Sequence, residues 1–301
     1  MSDIAIPHTD LVNYLPHRGP NLIPDMVWLA ADLQTARSRT EIQLDDPRGR
    51  ECFIRRDSSG AAYWNEPFLG ELVALTGVPM LTEGLNKEGK VAVFSAISKA
   101  EAPIPAPFHA VIEGAAAITR QRSGFAQFNA TLSINGTVVY RAEVMSGSAK
   151  MADILGGARN PGELPPMEAL PAWSWKPAAM RFIDGVISRS DTAIQCGYRY
   201  PEDHPFVPGH FPDGPLMMGV TQWMAMGDAL SCLLLSKGVA DGIYVGQGTM
   251  TRPDGSEVVS ARDLEVQIEN GIPRLCGARR IMFREVVRPG DCLLVDASYE
   301  G

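Results

Sequence analysis

Apolar residues recur at helical spacing over one stretch of the chain. Val220, Trp223, Met224, Met226, Ala229, Leu230, Leu233 and Leu234 follow mostly an i, i+3, i+4 rhythm with no internal proline. This predicts a largely buried helix opening at Gly219. A second helix is predicted after residue 66, where Asn65 or Glu66 can cap and Pro67 suits the first turn. Phe68, Leu72 and Leu75 share one face of it, Glu71 lies beside that face, and Pro79 ends or kinks the helix. Between and around these helices the pattern changes to alternation, which predicts strands. Val27, Leu29 and Ala31 form one alternating set, and Ser38, Thr40, Ile42 and Leu44 a half-polar second. Further strands are expected at Val91–Ile97, His109–Ile118, Gly124–Ile134 and Val138–Val144, with an Asn135-Gly136 hairpin turn before the last.

Residues 155–178 break every period with Gly156-Gly157, Pro161-Gly162, Pro165-Pro166, Pro171 and Pro177. We read an ordered linker between a first domain, 1–154, and a second, 179–301. Its tryptophans, Trp173 and Trp175, are expected to pack on a surface. Met180–Val186 echoes the segment around Asp25, a weak internal repeat. Ala193–Tyr200 then leads to the buried helix. Strands follow at Gly242–Gly246, at Asp263–Glu269 with an Asn270-Gly271 turn, and at Arg279–Arg288.

Ahead of the buried helix runs His204-Pro205-Phe206-Val207-Pro208-Gly209-His210-Phe211-Pro212-Asp213-Gly214-Pro215-Leu216-Met217-Met218-Gly219-Val220. Its prolines and glycines make a stiff loop of fixed shape that presents His210. A helix N-terminus exposes unpaired N–H groups, and a glycine there lets a ligand come close. His210 and Gly219 could thus supply a base and an oxyanion site together.

Composition narrows the field. A chain of 301 residues, 45% hydrophobic and 21% charged, suits one large globular domain or two small ones. A formal net charge of −8 argues against a nucleic-acid partner and would repel an acidic protein except at a local basic patch. No apolar run is long enough to suggest a membrane span. Residues 1–10 lack the blocks of a signal peptide. The five scattered cysteines suggest reduced thiols, so a cytoplasmic setting is expected.

The His204–Val220 loop resembles the active-site loop of the β-hydroxyacyl-acyl carrier protein dehydratases. Leu15-Pro16-His17-Arg18, leading to Asp25, resembles the start of such chains, and Arg280-Ile281-Met282-Phe283 with Pro289-Gly290-Asp291 resembles their arginine-phenylalanine strand and turn. The resemblance implies an α+β double hotdog, each half a long helix wrapped by a curved antiparallel sheet. In that family the catalytic carboxyl lies on the helix, fourteen residues after the histidine. Here the residue fourteen after His210 is Met224, and the residue fourteen before Glu71 is Asp57. Each half would therefore keep one member of the dyad, His210 meeting Glu71 across the paired helices. Asp57 with Met224 would be the lost site.

The resemblance implies dehydration of (3R)-hydroxyacyl thioesters to trans-2-enoyl thioesters. His210 would be the base, Glu71 the acid, the Gly219 N–H the oxyanion donor, and the Leu216 carbonyl the group that orients the imidazole. His17 is read as a histidine holding a turn. Asp228, one turn beyond Met224, is the rival acid. Arg279, Arg280, Arg284 and Arg288 are candidates for a patch binding phosphopantetheine or an acidic carrier, or equally solvated arginines. No metal or diffusible cofactor is expected, since phosphopantetheine arrives with the substrate, on acyl carrier protein or coenzyme A. Two fused copies make a monomeric pseudo-dimer feasible, with further pairing left open. A thioesterase, an enoyl isomerase and a non-catalytic hotdog partner subunit are the competing readings.

Overall fold

Glycine, proline and apolar spacing shape the first half around a helix with no exposed side. The computed structural model describes residues 3–43, 46, 51–122, 124–156 and 162–300. Strands β1 (Ile4–Pro7), β2 (Met26–Leu29) and β3 (Thr35–Thr40) come first. A small hairpin of β4 (Ile54–Arg56) and β5 (Ala62–Trp64) precedes helix α1 (Pro67–Gly77). Every residue of α1 is buried. Helix α2 (Pro79–Lys87) continues it after a 55° bend at Val78. The cause is Pro79, which lacks the N–H that would carry the helix through. Strands β6 (Lys90–Glu101), β7 (Ile112–Arg122), β8 (Phe125–Ile134) and β9 (Thr137–Lys150) and the short helix α3 (Met151–Leu155) complete this half. Asn135 and Gly136 both take positive φ, 49° and 77°, as the two-residue turn between β8 and β9 demands.

The second half runs through β10 (Glu168–Ala169), β11 (Gly185–Arg189), β12 (Ala193–Arg199), helix α4 (Gly219–Ser236), β13 (Gly242–Thr251), β14 (Glu257–Glu269), β15 (Ile272–Phe283) and β16 (Cys292–Tyr299). Most of α4 is buried, from Val220 to Leu234. The stretch expected to continue as strand to Arg288 leaves the sheet at Phe283 and becomes a loop. Leu44 and residues 157–161 of the expected linker lie outside the described residues.

Among the described residues, the two halves share one sheet of 14 strands, in the order β1-β2-β3-β7-β8-β9-β6-β15-β14-β13-β16-β12-β11-β10. The halves join where β6 and β15 pair antiparallel, Ile97 opposite Ile281 and Met282 opposite Ala96. Each half wraps its own helix, and α1 and α4 pack together at the centre. The fold is a double hotdog.

Read inward from either edge, the two halves offer the same positions, so β3 matches β12, β7 matches β16, β8 matches β13, β9 matches β14, and β6 matches β15. The chain visits them in different orders. After its helix the first half goes straight to the seam strand, β6. The second half first lays down β13 and β14, then the seam strand β15, and returns to β16 beside β12. The halves are alike in space but cyclically permuted in connection.

Candidate functional site

Two peptide segments far apart in sequence are clamped together at Gly209. The Arg18 N–H donates to the Gly209 carbonyl at 3.0 Å. A Cβ at Gly209 would fall 2.2 Å from the Arg18 carbonyl oxygen and 2.4 Å from Asn21 Oδ1, so only glycine fits. The Arg18 guanidinium donates to the carbonyls of Leu15 and His17, at 2.9 and 2.7 Å, fixing that turn. The second segment is built from within: the Val207 N–H donates to the His204 carbonyl and the His210 N–H to Phe206. His204 itself is anchored by its Nε2 to the Ala179 carbonyl at 3.0 Å.

The clamp brings His17 beside His210, with ring centroids 5.1 Å apart. Across from them α1 supplies Glu71, 2% exposed, whose Oε1 lies 3.2 Å from His17 Nε2. His17, Glu71 and His210 line one cavity of about 120 Å³ with Gly219, Gln222 and Phe283 among its other walls. It sits at the seam, where Phe94 of β6 and Phe283 of β15 meet at 5.8 Å between centroids. His17 was expected only to hold a turn; Arg18 does that, and His17 faces the site. The signal available in the sequence was its place in a Pro-His-Arg motif, but no spacing rule connects position 17 to position 71 or 210.

His210 Nδ1 lies 3.0 Å from the Leu216 carbonyl, to which it donates, so Nε2 carries the free lone pair. Burial first and neighbouring His17 second lower the His210 pKa from 6.5 to about 4, against the opposing pull of Glu71 and the Leu216 bond. The imidazole is therefore neutral near pH 7 and can accept a proton. Gly219 opens α4, whose N-terminus has no side-chain cap, so its N–H has no partner within the helix. A Cβ there would press on the Phe283 and Phe94 rings at 3.2–3.3 Å. Three buried polar atoms of this cavity have no hydrogen-bond partner among the described residues: His17 Nδ1, Glu71 Oε2 and Gln222 Oε1. Buried polar groups are normally satisfied, so such a concentration marks a place prepared for something else.

His17, Glu71 and His210 also form the group, among the described residues, whose donor atoms all lie within 4.8 Å of one another, close enough for a metal ion.

The other candidates stand elsewhere. Asp57 lies in the exposed turn between β4 and β5, its carboxylate accepting from Ser59 and the Ala61 N–H. Hydrogen bonding to Ser59 holds that carboxyl below its ordinary pKa. Asp57 therefore does not face Met224, and the pairing expected for a lost second site is corrected. Met224 meets Asn65 instead, Nδ2 to sulfur 3.6 Å. Nearby Glu66 is buried against Arg55, at 2.9–3.0 Å, and Arg274, at 3.6 Å. Asp228 pairs with buried Lys176 and accepts the Phe182 N–H at 2.9 Å. It does not line the cavity.

The four arginines are dispersed. Arg279 faces Asp263 at 4.0 Å, and Arg284 holds Glu257 at 2.5 Å. Arg280 and Arg284 line a broad surface depression with Arg189 and Arg262, whereas Arg288 donates to the Ile154 carbonyl and ties down α3.

No family model matches the chain, and no curated protein does. Solved structures do. The dehydratase heterocomplex ApeI:P from Xenorhabdus doucetiae is 13% identical, covering 48% of this chain and 95% of its own, with a TM-score of 0.39. A proposed thioesterase from Novosphingobium aromaticivorans is 11% identical over 91% of this chain and 98% of its own, with a TM-score of 0.42. A proposed thioesterase from Ralstonia eutropha, a phenylacetic acid degradation-related protein, is 16% identical over 40% and 80%, with a TM-score of 0.31. No single helix among the described residues is long and apolar enough to cross a membrane. The bent pair α1 and α2 reaches that length together, with α1 in the core.

Proposed function

We propose that the chain is an enzyme that dehydrates (3R)-hydroxyacyl thioesters to trans-2-enoyl thioesters, with the substrate carried on acyl carrier protein or coenzyme A in the cytoplasm. One observation carries the reading: a neutral histidine on one half and a buried carboxyl on the other line the same small cavity, beside an unpaired helix N–H.

Each requirement of the reaction has a candidate. His210 Nε2 takes the C2 proton while the Leu216 carbonyl holds the ring and its tautomer. Charge gathering on the thioester oxygen meets the Gly219 N–H, a donor of a kind worth roughly 3 kcal/mol to a transition state. Glu71 protonates the departing C3 hydroxyl. The apolar walls, Phe94, Val144 and Phe283 among them, take the acyl chain, and the pantetheine arm approaches along the seam. The two halves supply both members of the pair, so one chain suffices for one site.

The test is direct. Purified protein is incubated with a 3-hydroxyacyl-pantetheine thioester while enoyl absorbance and free thiol are followed together. Enoyl formation, lost in His210→Ala, supports dehydration. Thiol release without enoyl would make the protein a thioesterase. A silent protein with intact fold would make it a non-catalytic partner.

A further inference from the structure

Elimination leaves a bookkeeping problem that His17 solves. When the C2–H bond breaks, its proton goes to His210 Nε2 and its electron pair forms the C2–C3 double bond. The C3–O bond breaks, and the hydroxyl takes the Glu71 proton and leaves as water. The site is then left with a protonated His210 and an ionised Glu71, each in the wrong state for the next turnover. A proton has to travel from one to the other.

We infer that His17 is a positioning residue for Glu71 and the path by which its proton returns; this rests on the dehydration reading. The geometry is specific. His17 Nε2 lies 3.2 Å from Glu71 Oε1, close enough for one proton to pass between the two atoms. The opposite nitrogen, Nδ1, is buried and has no partner among the described residues. The His17 ring touches the carboxyl and lies 5.1 Å centroid to centroid from His210, and one donor atom from each of the three side chains lies within 4.8 Å of the others. Passing its Nε2 proton to Glu71 while accepting one at Nδ1 returns the imidazole to neutrality with its tautomer exchanged, and a turn of the ring by about 180° about χ2 brings the N–H back to Glu71. The proton accepted at Nδ1 is the one His210 took from C2, carried over the water the reaction releases. Substrate becomes enoyl thioester plus water, and all three side chains are reset. A histidine that merely held its turn would not need this placement, because the Arg18 guanidinium already secures the Leu15 and His17 carbonyls.

The test uses two substrates with His17→Asn and His17→Gln. One is the 3-hydroxyacyl thioester, whose leaving group must be protonated. The other is the matching 3-chloroacyl thioester, which loses chloride without any acid and so needs only His210 and the oxyanion donor. General acid catalysis is worth about 100-fold or more. Both variants are expected to lose at least about tenfold in kcat on the hydroxy substrate, with KM within about twofold and chloride elimination unchanged. Equal loss on both substrates would show a structural role and overturn the inference, as would no loss on either. Activity abolished by a chelator and restored by zinc would overturn it as well, by making the cluster a metal site. A wild-type protein that eliminates chloride but never water would instead refute the dehydration reading.

Discussion

Glu71 and His17 are expected to serve activity at no gain in stability, and replacing both tests this most sharply. In His17→Leu/Glu71→Leu the His17–Glu71 contact at 3.2 Å disappears together with both of its ends. Two of the cavity's unpaired buried atoms, His17 Nδ1 and Glu71 Oε2, go with it. An unsatisfied buried polar atom costs about 1–3 kcal/mol, and one neutral hydrogen bond returns about 1 kcal/mol. Removing two such atoms and one contact therefore predicts a gain of about 1–5 kcal/mol, or roughly 2–8 °C in Tm. The single variant Glu71→Leu strands His17 Nε2 and is expected to stay within about 1 kcal/mol of wild type. The conservative Glu71→Gln keeps the volume and a donor toward His17, so its stability is expected to match wild type. Both single variants and the double variant should lose about 100-fold or more in dehydration. Urea unfolding and the enoyl assay on the same preparations read the two quantities separately. A double variant destabilised by more than about 2 kcal/mol would refute the reasoning, since the pair would then be holding the seam together. Full activity in Glu71→Gln would remove the carboxyl from the chemistry.

Other outcomes follow from single contacts. Gly209→Ala drives a Cβ to 2.2 Å from the Arg18 carbonyl, so the clamp must open; we expect a loss of about 3 kcal/mol or more and of activity, read by urea unfolding and turnover. Glu66→Ala leaves the buried Arg55 and Arg274 without their shared carboxylate and should cost about 3–5 kcal/mol in urea unfolding, whereas Asp57→Ala, in an exposed turn, should leave the unfolding midpoint close to that of wild type. Burial lowers the His204 pKa from 6.5 to about 4, so the unfolded chain binds a proton there that the native one refuses. That stability is complete above pH 6.5 and is lost as pH falls toward 4, by at most roughly 3 kcal/mol; His204→Gln should flatten the slope of Tm against pH over that window. On the same grounds the acid limb of kcat/KM should fall near the lowered His210 value, about 4, rather than at 6.5.

The periods in the chain were enough to locate α1 and α4 and most of the strands, because each pattern reports which residues meet the core. The stiff proline loop placed His210 at the mouth of α4, since φ at its prolines and the freedom of its glycines are properties of the local backbone. A resemblance over that loop led to Glu71. Two things were beyond its reach. Counting fourteen residues back from Glu71 to Asp57 assumes that both halves approach their helix alike, but the first half enters α1 through the β4–β5 hairpin, whose turn holds Asp57, where the second half has the proline loop. His17 looked like a turn residue because nothing within its own segment marks it otherwise. The burial pattern of a residue tells that it is covered, and leaves open by what. The fold of one sheet around two central helices decides that, by pairing β6 with β15 and pressing Arg18 against Gly209, and it is this closure that turns residues 17, 71 and 210 toward one cavity.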